Sequence, residues 1–208
     1  AFQFSGFGFS GSGLLTYAPD VAPADPNPAC GTPGNDPCRT DPLGAYAISG
    51  ITGTFSDSAL GIFNAAITGL VPIDPANERD TSGFDPLVPS SLSFIDYTNE
   101  AAPTNALSYN NLLFPDGSPI DCDFDYSGTF LDVFGMAFTI DGGDSVVLWG
   151  DGDLFGPGTQ TYGVGITDGV DELGYVFAGV DASVPEPASM ALLGVGLAGI
   201  GFLRRRKR

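Results

Sequence analysis

Carboxylates are the residues of this sequence whose type and spacing could support chemistry. Asp121, Asp123 and Asp125 alternate along the chain, so on a β-strand their side chains would share one face. Three neighbouring carboxylates repel one another unless a cation or solvent screens them, and Ca²⁺ is a cation that prefers oxygen ligands. The segment is not an EF-hand loop, because Tyr126 stands where that loop needs glycine and no Glu occupies its twelfth position.

Two further acidic pairs lie in glycine-rich stretches that predict turns. The pairs are Asp141 with Asp144, and Asp151 with Asp153. Turns of this kind supply Ca²⁺ ligands in many proteins, and they also carry solvated carboxylates that keep an exported protein soluble. We favour solvated turn carboxylates and keep calcium as the alternative for all seven aspartates.

The sequence offers little to an enzyme, and we expect none. It contains no histidine and no G-x-S-x-G motif, which removes the usual serine and cysteine triads and the commonest zinc ligand. A pair of carboxylates could hydrolyse glycosides only at a defined separation in a cleft. Trp149, Tyr162 and Tyr175 could stack on sugar rings, although packing in a core or on a sheet face is the interpretation we favour.

Three cysteines complete the candidate residues. Cys30 and Cys38 lie within residues 18–44, a stretch that holds seven of the 17 prolines and no strand pattern. In an exported protein this spacing favours a disulfide that would close a small ring. Cys122 is then left over, either buried, free or paired elsewhere, and three scattered cysteines without histidine do not indicate a metal site.

The elements that must position these residues are predicted to be β-strands. The chain has 208 residues with 30 Gly and 17 Pro, and only 15% of them are charged. Short apolar stretches recur every ten to fifteen residues between Gly, Asp, Asn and Pro, and no helical period of 3.6 survives these interruptions before residue 184. We therefore predict an all-β body, an antiparallel β-sandwich or jelly roll.

Alternation defines the strands of this body. The candidates include residues 2–9, with a possible bulge at Gly6, and residues 46–55, 65–73, 91–97 and 106–114. From Phe130 to Ile140 the apolar residues share one face at period two, with Asp132 as a polar interruption. Asp141 to Asp144 predicts a hairpin turn, and the remaining strands are residues 145–149, 162–167 and 173–177.

Three changes of composition follow in residues 184–208. Pro185-Glu186-Pro187 must be extended. Residues 188–203 are uncharged and as a helix would span about 24 Å, short of the bilayer core of about 30 Å. The segment ends in five of the seven basic residues of the chain: Arg204, Arg205, Arg206, Lys207 and Arg208. The positive-inside rule keeps these cations cytoplasmic, so the body lies across the membrane.

This order of segments resembles the PEP-CTERM protein-sorting signal of Gram-negative and related bacteria. The resemblance implies that Pro185, Glu186 and Pro187 form a recognition motif, that residues 188–203 form the membrane span, and that the basic cluster retains it. It further implies processing by an exosortase-type membrane peptidase. An ordinary single-pass anchor that is never cut is the alternative, although such an anchor has no need of Pro-Glu-Pro at the membrane edge.

The same resemblance implies the domain boundaries and the location of the protein. We expect an extracytoplasmic body over residues 1–183 and a sorting signal over residues 184–208. Because the tail implies export and the sequence begins at Ala1, we expect that a signal peptide has been removed. The protein would pass through an inner-membrane intermediate and then reach the cell surface or the extracellular space.

Charge limits the partners of this body. The formal charge of the chain is −18, and residues 1–183 hold 24 acids against two arginines, a charge of −22, which works against nucleic acids and anionic lipid. We therefore expect a structural or adhesive protein of the envelope or exopolysaccharide matrix. The alternatives are a calcium-dependent carbohydrate-binding module and a filament or coat subunit that pairs through strand edges or through the Phe-rich segment Phe2 to Phe9.

Overall fold

The computed structural model describes residues 1–19, 45–72, 90–93, 106–118, 128–152, 154–156 and 160–184. These residues form eleven strands and no helix: β1 Phe2–Gly6, β2 Phe9–Pro19, β3 Tyr46–Asp57, β4 Ile62–Leu70, β5 Ser90–Ser93, β6 Ala106–Tyr109, β7 Leu112–Leu113, β8 Met136–Ile140, β9 Ser145–Gly150, β10 Tyr162–Thr167 and β11 Glu172–Ser183. The all-β prediction is thereby confirmed for the described part of the chain.

Eight of these strands close into one antiparallel barrel. The strand order is β2-β1-β11-β10-β9-β8-β4-β3, and β3 pairs again with β2 to complete the ring. The short strand β7 adds to β3, and β5 pairs with β6 in a separate two-stranded sheet. The finer prediction of a β-sandwich or jelly roll is not confirmed, because the main described strands form one closed sheet instead of two stacked sheets.

Closure also removes a predicted route to filaments. The Phe-rich first strand β1 pairs with β2 on one side and with β11 on the other, so its backbone groups are not free to pair with another copy. The predicted bulge at Gly6 is not present, because Gly6 pairs with Phe9 in register and the β1–β2 hairpin turn follows at Phe7 and Gly8, both at positive φ (53° and 93°).

The interior of the barrel is filled by one face of each strand. Alternate residues of β8, β9 and β10 point inward and are at most 1% exposed: Met136, Phe138, Ile140, Val146, Leu148, Tyr162, Val164 and Ile166. Phe55 lies among the rings of Phe4, Phe9 and Phe138, with ring centroids 6.2–6.3 Å away. An eight-stranded barrel is just wide enough for side chains to fill it, so this interior is a packed core.

The predicted strand from Phe130 to Ile140 is interrupted in its first half. β8 begins only at Met136, because the Asp132 carboxylate accepts hydrogen bonds from the backbone N–H groups of Phe134 and Gly135 at 3.1 and 2.9 Å. Its other oxygen accepts one from Asn110 Nδ2 at 2.6 Å. The polar interruption in the sequence is therefore the residue that shapes a turn.

On the outer face of the barrel, one stretch of the wall is covered by β6 and the residues that follow it. Tyr109 of β6 is buried against Ala137 of β8 and Val147 of β9, and its hydroxyl donates to the Pro72 carbonyl at 2.8 Å. Asn111 follows, with Nδ2 donating to the Val71 carbonyl and Oδ1 accepting from the Ala137 N–H, both at 2.9 Å. We call this stretch the covered side.

None of the described residues forms a helix that is long and apolar enough to cross a membrane. The predicted membrane span, residues 188–203, lies outside the described residues.

Candidate functional site

Next to the covered side, whose buried cluster also includes Trp149, the barrel wall carries a group of exposed aromatic rings. We call Phe7, Phe155, Tyr175 and Phe177 the aromatic platform; between 44% and 71% of each side chain is exposed. Phe7 lies in the β1–β2 turn, Phe155 in the loop after β9, and Tyr175 and Phe177 on β11. Val176 pairs with the inward-facing Val164, so its neighbours Tyr175 and Phe177 point outward.

Trp149 and Gly163 set the position of Tyr175. Gly163 of β10 lies opposite Trp149 of β9, and a Cβ at Gly163 would overlap both the Trp149 indole and the carbonyl oxygen of Phe177. The absence of a side chain lets the indole lie against the sheet. Tyr175 then stacks on it, with ring centroids 5.4 Å apart and an interplanar angle of 27°.

Phe7 is held in a backbone conformation that a bulky residue rarely adopts. Its φ is 53°, in the left-handed region that favours Gly and Asn. A Cβ on Gly179 would lie 2.9 Å from Phe7 Cε2 and 4.0 Å from Phe155 Cε2, so both rings border this glycine. The chain thus places a strained residue where its ring remains mostly in solvent.

Asp151 anchors the loop that carries Phe155. Its Oδ1 accepts a hydrogen bond from Trp149 Nε1 at 3.1 Å, and its backbone N–H and C=O bond to Thr161 and Leu154 at 2.9 and 3.2 Å. Its buried Oδ2 has no hydrogen-bond partner among the described residues. Burial raises the pKa of Asp151 to about 7, although the Trp149 hydrogen bond opposes the shift.

The surroundings of Asp151 also affect the Tyr175 hydroxyl. Partial burial raises the pKa of Tyr175, and the carboxylates of Asp151 and Glu172 raise it further. The described residues contain no Lys or Arg, so no side-chain cation of that part of the chain offsets these carboxylates. The platform is therefore an aromatic surface with an acidic border.

The predicted acidic pairs are brought to different places. Asp141 and Asp144 lie in the β8–β9 turn, where Gly142 and Gly143 have positive φ, and this confirms the predicted hairpin turn. Asp151 follows the other end of β9, about 20 Å away at the rise of an extended strand, so one ion cannot bind Asp151 together with the Asp141–Asp144 turn. Within the described residues no three acidic or sulfur ligands are grouped to hold a metal ion.

Several predicted sites lie outside the described residues, and the calcium and disulfide assignments stay predictions. They are Cys30, Cys38, Cys122, Asp121, Asp123, Asp125, Asp153, the motif Pro185 to Pro187 and the basic cluster Arg204 to Arg208.

Of the three aromatic residues singled out in the sequence, only Tyr175 is substantially exposed. Tyr162 points into the barrel, where its hydroxyl accepts a hydrogen bond from the Phe130 N–H at 3.0 Å and burial raises its pKa. Trp149 lies beneath Tyr175 and is 7% exposed. Phe7, Phe155 and Phe177 were not identified from the sequence as exposed members of one surface. The position of Phe177 could have been inferred, because it alternates with Tyr175 on one strand.

Comparison with known families identifies the C-terminal segment. Residues 183–207 match the profile of the PEP-CTERM protein-sorting motif. The chain carries a PEP-CTERM motif. The motif implies an exported protein that is targeted to exosortase, a membrane protein, and reaches the cell surface.

The PEP-CTERM match covers residues 183–207 and leaves nearly all of the barrel unmatched. No curated protein and no solved structure is significantly similar to the chain. The features that bear on the function of the barrel are therefore those of its own surface.

Proposed function

We propose that the barrel is the adhesive body of a PEP-CTERM-sorted protein and attaches to polysaccharide of the envelope or extracellular matrix through the aromatic platform. The observation that carries the proposal is Phe7, which is 71% exposed and has φ 53°. A strained backbone costs on the order of 1–3 kcal/mol and is retained where it serves a site. A side chain that is 71% exposed offsets little of this cost by burial.

The chemistry of the platform fits a sugar. Pyranose rings present flat C–H faces that pack on aromatic rings, while their hydroxyl groups remain in water or bond to polar neighbours. Three phenylalanines and a tyrosine, exposed on β11, in the β1–β2 turn and in the loop after β9, make such a surface. Contiguous exposed apolar groups on a protein mark an interaction site.

Charge narrows the class of sugar. The part of the chain before the sorting signal carries −22, and the described barrel contributes no Lys or Arg side chain. A polyanion would be repelled at low ionic strength. The proposal is therefore for a neutral polysaccharide, bound without catalysis.

Affinity electrophoresis tests the proposal directly. The protein is run through gels that contain extracellular polysaccharide of the producing cells, separated by anion exchange into neutral and anionic fractions. We expect the neutral fraction to retard the wild-type protein, and Phe177→Ala to lower the affinity about tenfold, as loss of a central aromatic contact does. Phe63→Ala is the control, because Phe63 is also an exposed phenylalanine, at 71% against 50% for Phe177, but lies on β4.

Three results would replace the proposal with another function. Retardation that EDTA abolishes would favour the calcium-dependent binding module. Release of new reducing ends from the polysaccharide would indicate a hydrolase. Retardation by neither fraction, with the wild-type protein folded, would contradict polysaccharide attachment.

A further inference from the structure

A polar groove lies on the barrel wall beside the aromatic platform. Two rows of short polar side chains cross the four adjacent strands β11, β1, β2 and β3, as their registers show. One row is Asp181, Ser5, Ser10 and Ser56; the other is Ser183, Gln3, Ser12 and Thr54. The groove has a volume of about 400 Å³, within the range of ligand pockets.

The groove presents hydroxyl groups that the protein leaves open. Within the described part of the chain, no protein group bonds the hydroxyls of Ser5, Ser10 or Ser12. Ser56 Oγ accepts from the Asn64 N–H at 2.9 Å and keeps its own proton to donate. A hydroxyl both donates and accepts, so this surface matches a ligand that also carries donors and acceptors on each unit.

The groove and the platform are neighbours on the same strand. β11 carries Tyr175 and Phe177 and, a few residues later, Asp181 and Ser183 of the groove. Gly179 lies between them and is bordered by the rings of Phe7 and Phe155. Phe7 itself forms the turn that joins β1 and β2, the two central strands of the groove. A chain ligand that leaves the rings at Gly179 therefore enters the rows of hydroxyls.

We propose that this groove is a second subsite for a neutral polysaccharide chain, which stacks on the aromatic platform and continues across β11, β1, β2 and β3. The inference rests on the proposed function and adds the path of the ligand. Among the described residues that line the groove, Asp181 is the only one with an ionisable side chain, and no described side chain supplies a cation. An anionic chain would thus meet a carboxylate without any basic partner.

Removing two central hydroxyls tests the groove without touching the rings. In the same gels, with the full chain, Ser10→Ala combined with Ser12→Ala should weaken binding to the neutral fraction about tenfold, because two hydrogen bonds are lost. Ser49→Ala combined with Ser145→Ala is the matched control, since both residues lie outside the groove. Ser12→Leu provides a second test, because it fills the groove without adding charge or a ring. Cooperative thermal unfolding of each variant establishes that it is folded.

The outcomes separate this inference from the proposed function. Loss of affinity in the groove variants, with the control pair unchanged, supports the subsite. Wild-type affinity in folded groove variants, with Phe177→Ala still weakened, overturns the groove and leaves the platform. If the wild-type protein binds no neutral polysaccharide, both fail. Sedimentation that shows a dimer lost in the groove variants would assign the groove to a second copy and overturn the inference.

Discussion

Two stretches of the barrel wall use aromatic residues in opposite ways. On the covered side, Tyr109 is 1% exposed, packs on Ala137 and Val147, and donates a hydrogen bond to Pro72. On the stretch of wall that carries the aromatic platform, which we call the open side, Phe177 is 50% exposed. The same residue class therefore stabilises the fold at one place and is left to solvent at the other, and the difference separates residues that serve folding from residues available for binding.

The largest expected effect is on the covered side. Tyr109→Ala should lower the free energy of unfolding by about 4 kcal/mol, because it removes a buried ring and leaves a cavity. Tyr109→Phe keeps the ring and loses the hydrogen bond to Pro72, so it should cost about 1 kcal/mol. Urea unfolding measures both. Equal costs for the two variants would mean that the ring contributes no packing energy there.

Trp149 packs with the Tyr109 cluster on one side and under Tyr175 on the other, and the Asp151 carboxyl that accepts its hydrogen bond predicts a pH dependence. Its folded pKa of about 7 exceeds the unfolded value of about 3.9. The folded state therefore binds more protons between these values, and this contribution to stability is complete below pH 4 and is lost as the pH rises to 7. Asp151→Asn removes this penalty. At pH 8 its free energy of unfolding should therefore exceed that of the wild type by on the order of 2 kcal/mol, a value reduced from the full pKa shift to allow for solvent screening.

Comparing the wild type with Asp151→Asn across pH isolates the contribution of the Asp151 carboxyl to stability. The advantage of Asp151→Asn should shrink towards zero near pH 4, where the wild-type carboxyl is also neutral. Asp141→Asn controls for the change in net charge, because Asp141 lies exposed in the β8–β9 turn. A constant difference between wild type and Asp151→Asn at pH 4 and pH 8 would contradict the shifted pKa.

On the open side, removing rings should leave the fold almost unchanged. Phe155→Ala and Phe177→Ala should each alter the free energy of unfolding by about 0.5 kcal/mol or less, as exposed substitutions usually do. Urea unfolding beside Tyr109→Ala provides the scale. A cost near that of Tyr109→Ala would show that these rings are structural and would erase the difference between the two sides.

Local patterns predicted many of the strands, but the pairing that closes them into a barrel instead of the predicted sandwich did not follow from these patterns. The alternation of Tyr162, Val164 and Ile166 identified an inward face because side chains in a strand have a period of two. Alternation does not say which strands pair. Closure depends on β1 meeting β11 and β2 meeting β3, contacts between distant parts of the chain.

The candidate site was partly visible for the same reason. Leu173, Tyr175 and Phe177 were predicted on one strand, but a register shift between β10 and β11 near Thr167 lets Leu173 pack against the core while the two aromatic residues stay outside. The PEP-CTERM motif could be recognised from the sequence, because it is defined by the order and composition of its segments and not by a folded structure. Exposure of Phe7 and Phe155 follows from loop geometry, which alternation does not encode.

Phe7→Asn tests the central claim most directly, that the open side of the barrel is kept for binding. Asparagine adopts positive φ more readily than phenylalanine, so thermal unfolding should stay at the wild-type temperature or rise slightly. In gels containing the neutral extracellular polysaccharide, the same variant should be retarded several-fold less than wild type. A lower unfolding temperature with unchanged retardation would contradict the account, because the ring would then serve the fold and not the ligand.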